Sequence, residues 1–432
     1  MTLTTTRRFL LTTTAAGGFA LLASAAFAED VTLNFLVDNN PSTVKMGQAL
    51  IDAFQAKNPG IKITLDTRPG GAEGDNLIKT KLATGDMSDV FLYNAGSLFQ
   101  AINPTKNLVD LTKEPFEANV LDSFKSVVTA DGKVYGAPIQ GAMGGGVLYN
   151  KKIYADLGLK VPTTWKEFMD NNAKIKAKGG IAPVIQSFKD TWTSQLFVLG
   201  DFYNVLTAVP TFPADYTANK AKFATTPAAL RGFQHQEEVF KAGYLNADFA
   251  SATFDDALKM LATGKGAHYP MLTFAISNIR EKNPDLLKDV GFFALPGDDA
   301  SKNGLTTWML AGIYVANTTK HLDEAKKFIN FIGSKDGCDV QTASIGVTGP
   351  YFVKGCDLPA DIAPAVADLV GYFKKDGGTA PALEFLSPIK GPSLEQITVE
   401  VGSGLRPAAD GAALYDEDVK KQAQQLGLPG WK

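Results

Sequence analysis

Side chains able to hold a small uncharged molecule recur at the ends of apolar runs in this sequence. Asn39 and Asn40 follow the alternating run Val31, Leu33, Phe35, Val37, and Tyr93, Asn94 and Ser97 follow the run that starts at Asp89. A side-chain amide donates and accepts hydrogen bonds together, which suits a ligand rich in hydroxyl groups. The competing roles are turn and helix-cap chemistry for Asn39 and Asn40, and a core position for Tyr93. Trp192 stands in the polar stretch Lys189-Asp190-Thr191-Trp192, ahead of an apolar run. A polar loop is a poor place for a core indole and a good one for a pocket wall.

Groups that would transform a ligand are scarce. The chain has 3 His and 2 Cys, too few for most His/Cys metal sites, so neither a metal nor a cofactor is expected. The patterns G-x-S-x-G, H-E-x-x-H and G-x-x-x-x-G-K-[ST] are missing. His235, in a charged helical stretch, and His321, after Thr319, read as solvated. Asp255-Asp256 and Glu237-Glu238 are adjacent, so their carboxylates point to different faces and read as surface charge. The net charge of −3 offers no basic surface for nucleic acid. With 432 residues, 45% hydrophobic and 20% charged, the chain is an ordinary globular one, of roughly two to three domain-sized units.

The elements that must position these groups alternate in type. Val31–Val37 reads as a strand, broken by Asp38-Asn39-Asn40-Pro41-Ser42. Val44, Leu50, Ile51 and Phe54 follow at helical spacing, and Asn58-Pro59-Gly60 stops that helix. Ile61–Leu65 alternates again, so a parallel strand–helix–strand unit is expected. Asn76–Ala83 reads as a helix and Asp89–Tyr93 as a buried strand. Thr164 and Glu167 form a capping box, and Leu322, Ala325, Phe328, Ile329 and Ile332 form an apolar stripe closed by Gly333. Short apolar runs at Val184-Ile185, Val290–Phe293 and Ala311–Val315 complete an α/β pattern. The Pro- and Gly-rich piece Gly136–Gly146 is the best place for a crossing between domains.

Residues 1–28 do not belong to this pattern. Arg7-Arg8, an apolar stretch and Ala26-Phe27-Ala28 form a secretory signal with cleavage after Ala28. Both Sec and twin-arginine export fit it, and the product is expected in the periplasm. Cys338 and Cys356 would then meet an oxidising compartment. A disulfide between them is the favoured reading, and two free buried thiols the alternative.

Four segments carry a further pattern. The first is Lys81-Leu82-Ala83-Thr84-Gly85-Asp86-Met87-Ser88-Asp89-Val90-Phe91. The second is Asp131-Gly132-Lys133-Val134-Tyr135-Gly136-Ala137-Pro138, followed by Leu148-Tyr149-Asn150-Lys151 and Pro162-Thr163-Thr164-Trp165-Lys166-Glu167-Phe168. The third is Gly264-Lys265-Gly266-Ala267-His268-Tyr269, and the fourth is the helix ending at Ala325–Ile332. In this order they resemble the extracellular solute-binding proteins of ABC importers, the family that includes the maltose-binding type. Ser88 and His268 depart from the family's usual Pro and Met.

The resemblance implies a type II periplasmic-binding fold, two α/β lobes closing on a ligand held between them. Lobe one would be 29–140 plus 306–345, and lobe two 141–305 plus 346–432. It implies a monomeric binder rather than an enzyme, with a small-molecule carbohydrate ligand and the transmembrane subunits of an ABC permease as partners. The loop of Asn39 and Asn40 would touch ligand and Tyr93 would be a stacking aromatic. Tyr269 and Phe274 would offer a platform, and Trp308 would stand near the second crossing. Gln140 and Met143 would form the cleft floor. For each aromatic, a core position remains the alternative. Gly144-Gly145-Gly146 leaves bare a place where maltose-type members often carry a carboxylate, so their sugar preference does not transfer. Two other readings stay open. A polyol, polyamine or other organic cation could be the ligand, the cations needing an aromatic cage with acids. An exported glycoside hydrolase would need two carboxyl groups about 5–10 Å apart.

Overall fold

A computed structural model of the chain describes residues 1–3, 31–309 and 311–432. Residues 4–30, which hold most of the expected secretory signal and the expected cleavage site after Ala28, lie outside the described residues. The sheets are built from β1 (Val31–Asp38), β2 (Ile61–Arg68), β3 (Val90–Asn94), β4 (Gly136–Pro138), β5 (Met143–Asn150), β6 (Ala182–Val184), β7 (Gly266–Leu272), β8 (Val290–Ala294), β9 (Leu305–Trp308), β10 (Ala311–Val315) and β11 (Thr379–Pro381). The helices that matter below are α1 (Pro41–Lys57), α2 (Gly71–Thr84), α3 (Trp165–Lys178), α4 (Pro227–Lys241), α5 (Phe254–Ala262), α6 (Ala275–Lys282), α7 (Leu322–Ile332), α8 (Lys335–Ile345), α9 (Leu394–Gly402) and α10 (Ala408–Gln425).

The first sheet runs β2–β1–β3–β10–β4. β1 is parallel to β2 from Val31–Ile61 to Asp38–Arg68, joined by the crossover helix α1. β1 and β3 are also parallel, so the carboxyl ends of β1, β2 and β3 share one edge. Leu33, Phe35 and Val37 are buried, as alternation requires, and Leu36 is buried as well because the sheet is covered on both faces. Phe35 and Phe54 meet Phe328 of α7 in this core.

The second sheet runs β11–β9–β5–β7–β6, with β8 also paired to β5. β5 is its spine. On one edge its first half pairs with β9 and its second half with β8, and β7 takes the other edge. The Gly144-Gly145-Gly146 run lies in this strand for a packing reason. A Cβ on Gly145 would stand 2.1 Å from Cζ3 of Trp308, so only glycine lets the indole lie on the strand.

The chain leaves the first sheet at Pro138 and enters the second at Met143, and it passes back between Trp308 and Ala311. After α8 a third passage runs beside the first, where Tyr351 bridges Gly141 and the Ala142 N–H donates to the Pro350 carbonyl at 2.7 Å. Cys338 of α8 and Cys356 are joined by a disulfide, which ties this passage to the helix.

The capping box on α3 forms as the sequence suggests, with the Thr164 and Glu167 side chains each reaching the other's backbone N–H. His235 differs from expectation. It is buried, its ring 3.7 Å from that of Trp165 and nearly parallel to it. Trp165 of α3 and the buried Asp201, whose Oδ1 lies 3.8 Å from Nδ1, cover this face of the charged helix, so it is not left to solvent at this position. His321 is half-buried at the start of α7. The adjacent acids do point apart. Asp255 pairs with Lys282 and Asp256 caps α5, while Glu237 pairs with Lys241 and Glu238 accepts from Trp165. Among the described residues, no helix is long and apolar enough to cross a membrane.

Candidate ligand-binding cleft

A cavity of about 360 Å³ is lined from both sheets. The first sheet contributes the edge where β1, β2 and β3 end, through Asp38, Arg68, Leu92 and Asn94. From beyond those strands come Asn40, Ser97 and the α2 residues Asp75 and Lys79. Open α/β sheets offer this edge because the loops leaving parallel strands diverge there. The facing wall holds Trp192, Gln195, Leu196, Leu272, Phe274 and Trp308. The C-terminal segment adds Glu384, Lys390 and Glu395.

Of the residues singled out in the sequence, Asn40, Asn94, Ser97, Gln140, Trp192, Phe274 and Trp308 come together on this cavity. Asn39 lines an adjoining cavity of about 600 Å³. Tyr93, Met143 and Tyr269 reach neither cavity and are buried. Strand alternation explains Tyr93, because Leu92 and Asn94 face the cavity and the residue between them faces away. Its ring instead lies 5.8 Å from the Arg68 guanidinium, supporting a cavity residue from behind. The Tyr269 hydroxyl is held by Ser187 at 2.7 Å, inside the core of the second sheet. Met143 is in register with Trp308 on the neighbouring strand, where the larger side chain takes the wall.

The polar groups are tied to one another in specific ways. Asn40 donates from its side chain to Asp38 Oδ1 at 2.7 Å, and Gln140 donates its backbone N–H to Gln341 at 2.6 Å. Trp308 donates its indole N–H to Glu384 Oε1 at 2.6 Å, and Lys390 lies 3.2 Å from Glu384 Oε2. Thr191 donates to Glu395 at 2.7 Å. Burial alone would lower the Lys390 ammonium, but the attraction of Glu384, with Asp75 and Glu395 behind it, prevails and raises it. Burial raises the Asp75 carboxyl against the opposing pull of Lys390 and Arg68. Burial likewise raises Glu395 against its bond from Thr191. Opposite charges are thus balanced within the wall. Arg68 Nε and Ser97 Oγ are buried without a hydrogen-bond partner, and a ligand oxygen would satisfy them.

Arg68, Asp75, Glu384, Lys390 and Glu395 were not legible as site residues. Arg68 had a usable signal, since it ends a parallel strand just as Asp38 and Asn94 do. The segment from Pro381 to Pro392 had none, because it follows no period that ties it to a sheet.

Residues 40–337 match the model of the bacterial extracellular solute-binding protein family. The chain belongs to that family. A multiple sugar-binding protein of Streptococcus mutans is 26% identical over 322 residues, covering 72% of this chain and 73% of that one. A diacetylchitobiose-binding protein of Streptomyces coelicolor is 27% identical, covering 58% of each chain. Among solved structures, a chitin oligosaccharide binding protein superposes with a TM-score of 0.79 at 21% identity, covering 92% of this chain and 100% of that one. The solute-binding protein RafE in complex with raffinose gives a TM-score of 0.75 at 21% identity, covering 92% and 99%. These likenesses establish the type II periplasmic-binding fold for this solute-binding protein.

Proposed function

We propose that this chain captures a sugar or oligosaccharide between two closing lobes and delivers it to the membrane subunits of an ABC permease, without turnover. The observation that carries the reading is the composition of the cavity wall. It joins half-buried aromatic faces, Trp192 and Phe274, to amide and hydroxyl groups and to charges that already pair with one another. Such a wall favours a neutral ligand with apolar faces and many hydroxyls. A polyamine would need carboxylates free to meet it, whereas Glu384 is engaged by Trp308 and Lys390, Glu395 by Thr191 and Asp38 by Asn40, and Asp75 lies in the field of Lys390 and Arg68. The sugar-binding relatives support the same class of ligand.

In this reading lobe one is 29–140 plus 306–345 and lobe two is 141–305 plus 346–432. Because Thr306, Thr307 and Trp308 pair with β5 of the second sheet, this reading is supported best with the second boundary taken just after Trp308. Asn39, Asn40, Asn94, Ser97, Gln140, Trp192, Phe274 and Trp308 contact ligand. The working protein is a periplasmic monomer, exported by cleavage of residues 1–28. A thermal-shift screen tests the ligand class, with neutral saccharides, polyols and polyamines in parallel. A ligand at a hundred times its Kd stabilises by about 2.7 kcal/mol. Stabilisation by a saccharide, with the saccharide recovered unchanged, is expected. A shift with polyamines alone, or hydrolysis of the saccharide, would overturn the reading.

A further inference from the structure

Helices α1 and α6 meet across the lobe boundary, outside the cavity walls. α1 starts after Asn40, which lines both cavities, and α6 starts after Phe274, which lines the first of them. Ser42 and Lys45 lie on α1, Asn278 and Glu281 on α6, and none of the four lines either cavity. Ser42 donates its hydroxyl to Asn278 Oδ1 at 3.0 Å, and its backbone N–H points to the same oxygen at 3.4 Å. One turn further along both helices, the Lys45 ammonium meets the Glu281 carboxylate. The spacing is three residues on each helix, so the two pairs lie on one face of each.

α1 has no side-chain cap of its own, because its N-cap residue, Asn40, commits its amide to Asp38. The first N–H groups of a helix have no partner within it. Here the acceptor comes from a residue 236 positions away, in the other lobe. Ser42 and Asn278 are both buried, and among the described residues Asn278 Nδ2 has no partner, so Ser42 alone holds this amide. The lobes touch again where Gly71 of α2 lies against Trp192, so in this structure they stand together. We infer that Ser42–Asn278 and Lys45–Glu281 form a clasp that holds the lobes closed and sets ligand affinity without touching the ligand. Entry and release require the lobes to part, and parting separates both pairs. A contact made only in the closed form tightens binding by the factor with which it favours that form. The four are positioning residues. The inference rests on the two-lobe reading above, which puts α1 in lobe one and α6 in lobe two.

The test is calorimetric titration of the mature protein with raffinose, maltotriose, xylotriose, N,N′-diacetylchitobiose and spermidine, beside thermal melting without ligand. Lys45 and Glu281 reach the surface, so Lys45→Glu sets two carboxylates against each other without disturbing the core. It should raise the Kd of whichever probe binds about three- to tenfold, with ligand-free melting close to that of wild type. Combining Lys45→Glu with Glu281→Lys rebuilds the pair in reverse and should bring the Kd back to within about twofold of wild type. Ser42→Ala removes the buried hydroxyl and should raise the Kd about two- to tenfold. Unchanged affinity in both Lys45→Glu and Ser42→Ala marks a contact that stays made when the lobes part, and overturns the clasp while the carbohydrate reading stands. So does a charge-exchanged protein that binds no better than Lys45→Glu alone. Binding of spermidine alone overturns the carbohydrate reading, and the same comparison of variants then decides the clasp. Binding of none of the five probes overturns both.

Discussion

Two tryptophans with the same apparent role separate on their surroundings. Trp192 is half-buried, 5.1 Å from Phe254 and 6.0 Å from Phe274, and touches both cavities. Trp192→Ala is expected to raise the ligand Kd about ten- to a hundredfold with little change in melting. Trp308 is 1% exposed, and its loss also removes the donor to Glu384 Oε1, so Trp308→Ala should cost about 3–5 kcal/mol of stability. Titration and denaturant unfolding of both variants decide this, and a collapsed midpoint for Trp192→Ala would assign that ring to the core. His268 is a structural residue of another kind. Its Nδ1 faces the Pro183 carbonyl at 2.9 Å, so that nitrogen carries the proton and Nε2 accepts from the Tyr154 hydroxyl at 2.7 Å. Burial pushes its pKa down to about 3, against the raising effect of Pro183. The neutral ring therefore contributes stability above the free value of about 6.5, and this is lost as pH falls towards the folded value. The slope is at most about 1.4 kcal/mol per pH unit. His268→Gln should flatten the melting temperature across that acid range, and an unchanged slope would move the acid sensitivity elsewhere.

At the scale of elements, β5 sets the cavity wall at Trp308. Its register with β9 pairs Gly145 with Thr306 and Met143 with Trp308, which lays the indole back over Gly145. Gly145→Ala is expected to cost about 1–3 kcal/mol through overpacking. Because Trp308 must move, ligand affinity should fall with it. A variant with both values unchanged would show that the strand gives way freely and that the glycine has another purpose. The same strand explains why a bare glycine run is compatible with a polar site. The carboxylates that line the cavity, Asp38, Asp75, Glu384 and Glu395, come from the end of β1, α2, the segment after β11 and α9.

Across the whole molecule, three chain passages join the two sheets, and the disulfide lies on the third. Cys338 and Cys356 are 18 residues apart, so closing that loop removes roughly 3 kcal/mol of unfolded-state entropy. Replacing both by Ser should lower unfolding stability by about that amount while leaving ligand affinity close to unchanged, since neither cysteine lines the cavity. Alkylation followed by intact-mass measurement checks the bond directly. Two reactive thiols in the unreduced exported protein would refute it.

Local signals in the sequence determined the elements. Val31–Val37, Val44–Phe54 and Ile61–Leu65 read correctly as strand, helix and parallel strand, because each buries one face at its own period. The capping box at Thr164 depends on contacts three residues apart, so it too was legible. Order and spacing of the four motifs gave the family. The tertiary structure decided what no period encodes. It turned Tyr93 inward and Leu92 and Asn94 outward, buried His235 between helices, and brought Glu384, Lys390 and Glu395 to a cavity some three hundred residues away in sequence from Arg68 and Asp75. Those placements come from packing between distant segments, where a side chain's neighbours, not its own sequence window, fix whether it meets a ligand.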